Sequence, residues 1–541
     1  MAQPGLQVGF QADFVIVGAG SAGCAAAERL SRDSAIRVLL IEAGGDDAHP
    51  WIKVPGGMWY SVGHKRFDWN YPTEPDPSRH GRFEVWPRGK VLGGSSAING
   101  MIYVRGQRAD FDAWAGLGNA GWSADAVYAA YRDMERTTIG DAAVRGRGGL
   151  LDVQYLRSPH PSAHAFLRAC AELGLARRDI NGHEQNGADL MQATQRSGWR
   201  CSAAAAFLGV ARRRRNLQVL THAQVMVLNL QERRVTGVTL RLADSLVRVE
   251  ATQGVVLCAG AIATPQLLML SGIGPAAALQ HLGITPVLDV PACGAHLREH
   301  VGVDVDRLVT GLGRSYNEEA RPLRLALNAL RYAFKRDGPA ATPGAHAYAF
   351  VKTEASMPGC DVQLHLCPQL YAVENGEYTL SQERGISITV NVSHPHSSGT
   401  VSLRSSDPMD TPLIAPQLLS DDRDLETLLA GVRVARRLYA TAAFRLHVSR
   451  GCTAEPESDE ALRTWLRQTA YPIYHPVGTC RMGVDPSDVV DPRLNLRGLE
   501  GLKVADASVL PRHISGNTNA VAMMIGRRCA DFITEDLRAA T

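Results

Sequence analysis

The first forty-two residues constrain this chain more than any other part of it. Asp13-Phe14-Val15-Ile16-Val17 is a short apolar, β-branched run of the kind that forms a buried parallel strand. It leads directly into Gly18-Ala19-Gly20-Ser21-Ala22-Gly23 and then an alanine-rich stretch, Cys24 to Arg32, expected to be helical. A second strand, Arg37 to Ile41, ends at Glu42. In this order Gly18 allows the tight turn, Gly20 lets the backbone approach a pyrophosphate, and Gly23 lets the helix pack closely on the strand. The helix start then offers free N–H groups and its positive dipole end to phosphates. Glu42, nineteen residues after Gly23, is placed to accept hydrogen bonds from a ribose diol, and its charge argues against a 2′-phosphate. The motif specifies a dinucleotide without choosing between FAD and NAD.

Composition narrows the partners. A formal net charge of only +3 gives no reason to expect nucleic acid. The single basic run, Arg212 to Arg215, has no aromatic platform beside it and reads as a solvated loop. The ten cysteines form no C-x-x-C pair, so neither a metal site nor a disulfide scaffold is expected, and a reducing compartment such as the cytoplasm fits best. Met1 to Gln11 lacks the pattern of a signal peptide. The most apolar stretch, Gly254 to Gly274, is broken by Gly and Pro and reads as strand, turn and helix, not as a membrane span. Peripheral attachment to a membrane surface stays open, as does the oligomeric state.

Further blocks follow. Gly89-Lys90-Val91-Leu92-Gly93-Gly94-Ser95-Ser96-Ala97-Ile98-Asn99 reads as backbone threaded against a flat ring system, where side chains would collide. Later come Gly260-Ala261-Ile262-Ala263-Thr264-Pro265, then Tyr474-His475-Pro476-Val477-Gly478-Thr479, then Val504-Ala505-Asp506-Ala507-Ser508 and Gly516-Asn517-Thr518-Asn519-Ala520. In kind and order these blocks, spread from Asp13 to Ile533, resemble the glucose–methanol–choline (GMC) oxidoreductase family, and in general look its bacterial choline-dehydrogenase-like alcohol dehydrogenases.

The resemblance implies FAD. By position in the blocks, Gly18, Gly20, Ser21, Ala22, Gly23, Glu42 and Ala43 would hold the ADP half, with Val225 on the adenine side. Arg88, Val91, Gly93, Gly94, Ser95, Asn99 and Gly100 would follow the ring, and Ala259, Gly260, Asp506, Ala507, Asn517, Thr518 and Asn519 would close over the ribityl chain and ring. Ile98 stands where some members carry a histidine that bonds the flavin, so a noncovalent FAD is expected. A second departure is Pro291-Ala292-Cys293-Gly294-Ala295-His296, where His296 replaces the Asn that relatives use at an expected helix start.

The expected fold class is α/β. Because the cofactor blocks are far apart, a Rossmann-like FAD-binding domain must be discontinuous, assigned to 1–158, 196–306 and 466–541. An α+β substrate domain, 159–195 and 307–465, would carry an antiparallel sheet: Asp361–Leu366, Ile386–Val392 and Gly399–Leu403 alternate as strands, and Leu425 to Ala440 has helical spacing. In relatives a loop near Asp68–Arg82 lids the cavity.

Oxidation of an alcohol by a flavin removes a proton from oxygen and a hydride from carbon, so a base is needed near a weakly acidic hydroxyl. Histidine suits that role near neutral pH, and the resemblance assigns it to His475. It assigns the second polar position, a hydrogen-bond donor to the oxygen, to Asn519, whose bland alternative is to cap the helix starting near Ala520. His513 is the weaker candidate and reads as structural. The expected reaction converts a small-molecule alcohol, by default primary and aliphatic or benzylic, to an aldehyde or ketone and passes electrons to a quinone or other acceptor. Three alternatives share these residues: an oxidase that uses oxygen, a hydroxynitrile-lyase-like enzyme of the same fold, and a non-catalytic flavin-binding protein.

Overall fold

The computed structural model describes residues 8–374, 377–450 and 455–540. Residues 1–7, most of the stretch read as free of a signal peptide, and Cys452 lie outside the described residues.

The strand Val8–Val17 lies between Val38–Ile41 and Ser245–Leu257, parallel to both, with Phe14 to Val17 buried. Leu217–Leu220 extends this sheet on one side and Leu502–Val504 adds a further parallel strand beside Ser245–Leu257. An antiparallel meander, Ala223–Gln231 and Arg234–Leu242, completes seven strands. The helix after the first strand spans Ser21–Leu30, so it begins inside the glycine motif and not after it. A Cβ on Gly23 would lie 1.9 Å from the Gly18 carbonyl oxygen, which is why that position must be glycine. The C-terminal helix Asn519–Ala540 packs on this first helix; there a Cβ on Gly526 would lie 2.1 Å from the Ala22 carbonyl.

A second seven-stranded sheet is antiparallel throughout, in the order Val448–Arg450, Val301–Val309, Gly385–Val392, Val362–Cys367, Ala347–Val351, Gly187–Leu190, with Tyr471–Pro472 pairing beside Val301. Period-two alternation explains its two faces. Val362, Leu364 and Leu366 join the apolar core built with Leu428, Leu429 and Val432 of the helix Asp422–Ala440. Gln363, His365 and Cys367 fall on the opposite face of the same strand.

Three expectations change. Val301–Val309 and Tyr471–Pro472 belong to the second sheet, so the boundary at 306 falls inside a strand and that at 466 precedes one. Thr400–Ser402 pairs with Leu413–Ala415 in a separate two-stranded sheet. No helix starts at His296; this residue sits at φ 58°, the left-handed region that asparagine tolerates better than histidine. Among the described residues no helix is long and apolar enough to cross a membrane.

Candidate active site

Between the two sheets lies a cavity of about 820 Å³. Its walls include Gly18, Gly20, Ser21, Ala22, Glu42, Ala43 and Val225 from the first sheet and its loops, and Arg88, Gly94, Ser95, Asn99 and Gly100 from the second glycine block. Ala259, Gly260, Asp506, Ala507, Asn517, Thr518 and Asn519 line it too. Three predicted cofactor residues stand behind the wall instead. Gly23 packs helix on turn, Val91 is buried with Ile52, Phe67, Ala97 and Ile98, and Gly93 makes a left-handed turn at φ 94°. They shape the site through the backbone they fix.

The walls suit a dinucleotide on physical grounds. Gly20 and Gly94 face each other across the turn, and a Cβ on Gly94 would lie 2.7 Å from Gly20 Cα. Glu42 accepts from the N–H groups of Ala19 at 3.0 Å and Gly44 at 2.9 Å, which fixes its carboxyl, and burial pushes that carboxyl up to about 7. Asp506 accepts from Gly260 N at 2.8 Å, Thr264 Oγ1 at 2.6 Å and Ser508 N at 2.8 Å, tying the Gly260–Pro265 block to the Val504–Ser508 block. A buried arginine that sequence reasoning missed, Arg200, donates to the carbonyls of Ile52 and Asn99 and to Asn99 Oδ1. It holds the ring-side loop with no carboxylate partner among the described residues, and burial pushes its guanidinium down to about 9.

At the other end stands His475. Its backbone is pinned from three sides. Its N–H donates to Glu299 Oε1 at 2.6 Å, its carbonyl accepts from His513 Nε2 at 2.9 Å, and Arg88 Nη2 donates to the preceding carbonyl, that of Tyr474, at 2.5 Å. Tyr474 itself has φ 65°, a strained setting for a side-chain-bearing residue.

The ring of His475 has a defined tautomer. His300 Nε2 lies 2.9 Å from the carbonyl oxygen of Ser393 and 3.1 Å from that of Ile514, so it carries a hydrogen. Burial holds His300 down to about 3, so the ring is neutral and its Nδ1 has only a lone pair. That Nδ1 is 2.9 Å from His475 Nδ1, which must therefore be the donor. His475 Nε2 is left with a lone pair. Burial, then the neighbouring His300, Arg88 and His365, hold His475 well below the ordinary histidine range, so the ring is an unprotonated base. His513 stacks on His300 with ring centres 3.6 Å apart and accepts from Ile514 N, a structural role.

Asn517, and not Asn519, is the asparagine beside the ring of His475. The sequence reading paired His475 with Asn519, whereas the structure sets Asn517 Nδ2 3.1 Å from His475 Nε2. Gln363 Nε2 donates to Asn517 Oδ1 at 3.2 Å, which turns the amide N–H side toward the base. Asn519 is the first residue of the C-terminal helix, and its Oδ1 accepts from Ser21 Oγ at 2.8 Å, at the phosphate-turn end of the cavity.

Around the base the cavity is aromatic and polar. Trp69 and Tyr71, from the Asp68–Arg82 segment, stack at 5.8 Å and 10° and both line it. The buried side chains of His365 and Gln369 also line it; His365 Nε2 and both amide atoms of Gln369 find no hydrogen-bond partner among the described residues. The carboxylates among the described lining residues are Glu42, Asp410 and Asp506. No group of described residues could hold a metal ion.

A Rossmann-like α/β sheet joined to an antiparallel sheet, with a buried neutral histidine at the seam, is the arrangement of a flavin-type oxidoreductase. Family models described as GMC oxidoreductase match residues 12–302 and 395–526. An alcohol dehydrogenase [acceptor] of Pseudomonas putida is 36% identical over 98% of this chain and 97% of its own length. An oxygen-dependent choline dehydrogenase of Brucella anthropi is also 36% identical, over 97% of this chain and 95% of its own. Among solved structures, pyridoxine 4-oxidase from Mesorbium loti superposes with a TM-score of 0.88 at 29% identity, covering 97% of this chain and 99% of that one. The chain belongs to the GMC oxidoreductase family. It is an FAD-dependent oxidoreductase of CH–OH donors.

Proposed function

We propose that the protein oxidises an uncharged primary alcohol to the aldehyde, with His475 Nε2 as the base and Asn517 as the group that holds the oxygen. The observation that carries this reading is the fixed lone pair of His475 Nε2, opposite the bonded Nδ1 and beside a donor amide. The alcohol hydroxyl gives its proton to Nε2 while the Asn517 N–H stabilises the negative charge left on oxygen. His300, by accepting from Nδ1, keeps Nε2 the only ring nitrogen able to take that proton. FAD, bound noncovalently along the glycine turns, supplies the two-electron acceptor for the hydride of the carbinol carbon. Asp506 and Glu42 hold the cofactor end, and the aromatic walls exclude water from the reacting end.

An uncharged substrate is favoured although choline dehydrogenases are among the relatives. A quaternary ammonium would call for a carboxylate among the aromatic faces. Glu42 and Asp506 are committed to the cofactor end, and Asp410 is exposed and accepts from Ser405 Oγ. Asp304, behind the wall, already accepts from Thr389 Oγ1 at 2.6 Å and Tyr471 Oη at 2.9 Å. Gln369 and His365, buried and unpartnered, instead favour an alcohol with a second hydrogen-bonding group, because such groups are costly to leave unsatisfied.

A quinone or similar carrier as the electron acceptor is supported by the likeness to the P. putida dehydrogenase. The test is anaerobic bleaching of the bound flavin by a panel containing hexanol, benzyl alcohol, a diol and choline. Bleaching by the uncharged alcohols, lost in His475→Ala, is the expected result; bleaching by choline alone overturns the substrate reading. A flavin that no alcohol bleaches overturns the reaction. Slow recolouring in air with rapid recolouring by a soluble quinone is expected of a dehydrogenase, and the reverse marks an oxidase.

A further inference from the structure

Elsewhere on the described surface large apolar side chains are exposed in ones and twos, but five of them fall on one helix, Pro322–Lys335. Leu323 is 75% exposed, Leu327 51%, Leu330 57% and Phe334 82%. At 100° per residue these four lie within an arc of about 60°. Tyr332, the one buried residue of the helix, lies on the opposite side and donates to the Gly198 carbonyl at 2.9 Å. The apolar stripe therefore faces straight out, and no described residue covers it.

The helix itself carries charge of one sign. Arg321, Arg324, Arg331, Lys335 and Arg336 lie in or beside it, with no acidic residue between Arg321 and Arg336. Arg324, Arg331 and Lys335 fall in a row along one flank of the stripe, about 80–120° around the helix from Leu323. Arg331 is paired with Asp337 at 2.7 Å, so Arg324 and Lys335 are the row's cations for a lipid phosphate. Trp199, 38% exposed, packs edge-on against Tyr332, with Arg336 over its ring at 4.2 Å. An outward Leu/Phe stripe flanked by Arg and Lys is the chemistry of a helix lying in the headgroup layer of a bilayer.

We propose that Pro322–Lys335 is a membrane-docking helix that seats the enzyme on an anionic lipid surface, its apolar stripe in the acyl boundary and its cationic flank on lipid phosphates. A second copy of the chain is a poorer occupant, since pairing two such faces about a two-fold axis would oppose like-charged rows. The position has a functional sense. The turn Pro339–Ala341 that follows the helix packs on Pro55–Gly57, directly before Met58, Trp59 and Tyr60 of the cavity wall. Tyr60 is 49% exposed, so a mouth of the cavity lies near the turn that follows the helix. Apolar alcohols and a lipid-dissolved acceptor would then reach the site from the bilayer. The docking itself rests on the helix alone and not on the reaction assigned above.

The test is flotation of the full-length, flavin-loaded protein with phosphatidylcholine vesicles and with vesicles containing phosphatidylglycerol. The expected result is co-flotation with the anionic vesicles, weakened by salt, and much less with the neutral ones. Leu327→Ser/Phe334→Ser and, separately, Arg324→Glu/Lys335→Glu should each lower the bound fraction at least about tenfold. Both variants should keep the flavin spectrum and its bleaching by a soluble alcohol. Wild-type protein that stays with neither vesicle, or variants that float like wild type, would overturn the proposal. So would a wild-type dimer that Leu327→Ser/Phe334→Ser converts to monomer without any lipid binding, which would assign the face to a second copy.

Discussion

His300 and His475 face each other Nδ1 to Nδ1 at 2.9 Å, so one hydrogen is shared between two nitrogens that both lack room for another. Because His300 Nε2 is committed to two carbonyls, the shared hydrogen belongs to His475. His300→Leu should leave flavin bound but slow its anaerobic reduction by an alcohol about 10²-fold, since the base would be free to adopt the wrong tautomer. His300→Asn, whose Oδ1 can still accept from Nδ1, should recover part of that rate. Equal rates in both variants and wild type, read by stopped-flow absorbance, would remove His300 from the mechanism.

Asn517 and Asn519 should separate by readout. Asn517→Ala removes the donor beside His475 Nε2 and should cut the reduction rate by about 10²-fold or more with little change in flavin content. Asn519→Ala removes the partner of Ser21 Oγ and should lower flavin retention on gel filtration while the flavin that remains is reduced at near the normal rate. The opposite pattern would restore Asn519 as the catalytic amide.

The contrast between these two asparagines shows what the sequence could and could not carry. Gly18, Gly20, Glu42 and the strand–turn–helix around them were legible because their function is local: each acts within a few residues of its own backbone. Asn517 and Asn519 differ by two positions, and their order of use depends on where the last helix begins. It begins at Asn519, which turns that side chain toward Ser21 and leaves Asn517 in the loop facing His475. The contact of His300 with His475 was not legible, because the two meet only through the pairing of Val301–Val309 with Tyr471–Pro472. The helix Pro322–Lys335 did carry one. Leu323, Leu327, Leu330 and Phe334 stand at spacings of four, three and four, a pattern missed when only long apolar runs are sought.

Glu299 tests the state of a carboxyl under the base. Burial pushes it up to about 8, against the opposing effects of the His475 N–H and Arg88. It should therefore be largely neutral at pH 7, and Glu299→Gln, which keeps an acceptor for the His475 N–H, should reduce flavin within about threefold of the wild-type rate there. Above pH 8 the wild-type carboxyl ionises and the two pH profiles should diverge. A large loss in the Gln variant already at pH 7 would mean that the charge is required throughout.

Arg200 should prove a cofactor-site residue that never touches chemistry. It satisfies the carbonyls of Ile52 and Asn99, and truncation to Ala strands buried acceptors at about 1–3 kcal/mol each. The Gly93–Asn99 turn should loosen, and the purified variant should carry less flavin per chain by its visible-to-ultraviolet absorbance ratio. Full flavin content with an unchanged melting temperature would show that the loop holds itself.

The buried histidines make the fold acid-labile in a definite window. Burial lowers His300 and His346 to about 3 and His365 to about 4, from an unfolded value near 6.5. Between those values the unfolded chain takes up protons that the folded rings refuse, so the unfolded state binds more protons and stability falls as pH drops. Each ring contributes a slope of about 1.4 kcal/mol per pH unit once the pH is well below 6.5. His394 works the other way. Burial lowers it, but Asp110 at 2.7 Å lifts it above its ordinary value, so its contribution is fully present below about 6.5 and is lost at higher pH. Glu42 and Glu299, raised by burial to about 7 and about 8, also favour the fold as pH drops toward their unfolded range. His475 and His513, held well below the ordinary histidine range, join the three lowered rings, and five such rings outweigh His394 and the two carboxyls. The melting temperature of the flavin-loaded protein should therefore hold between pH 7 and 8 and fall steeply from pH 6 to 4, and His346→Gln should flatten that fall by removing one of the protons. A melting temperature that stays level to pH 4, with no change in His346→Gln, would mean that the buried rings do not resist protonation in the fold, which would remove the neutral His475 on which the proposed reaction rests.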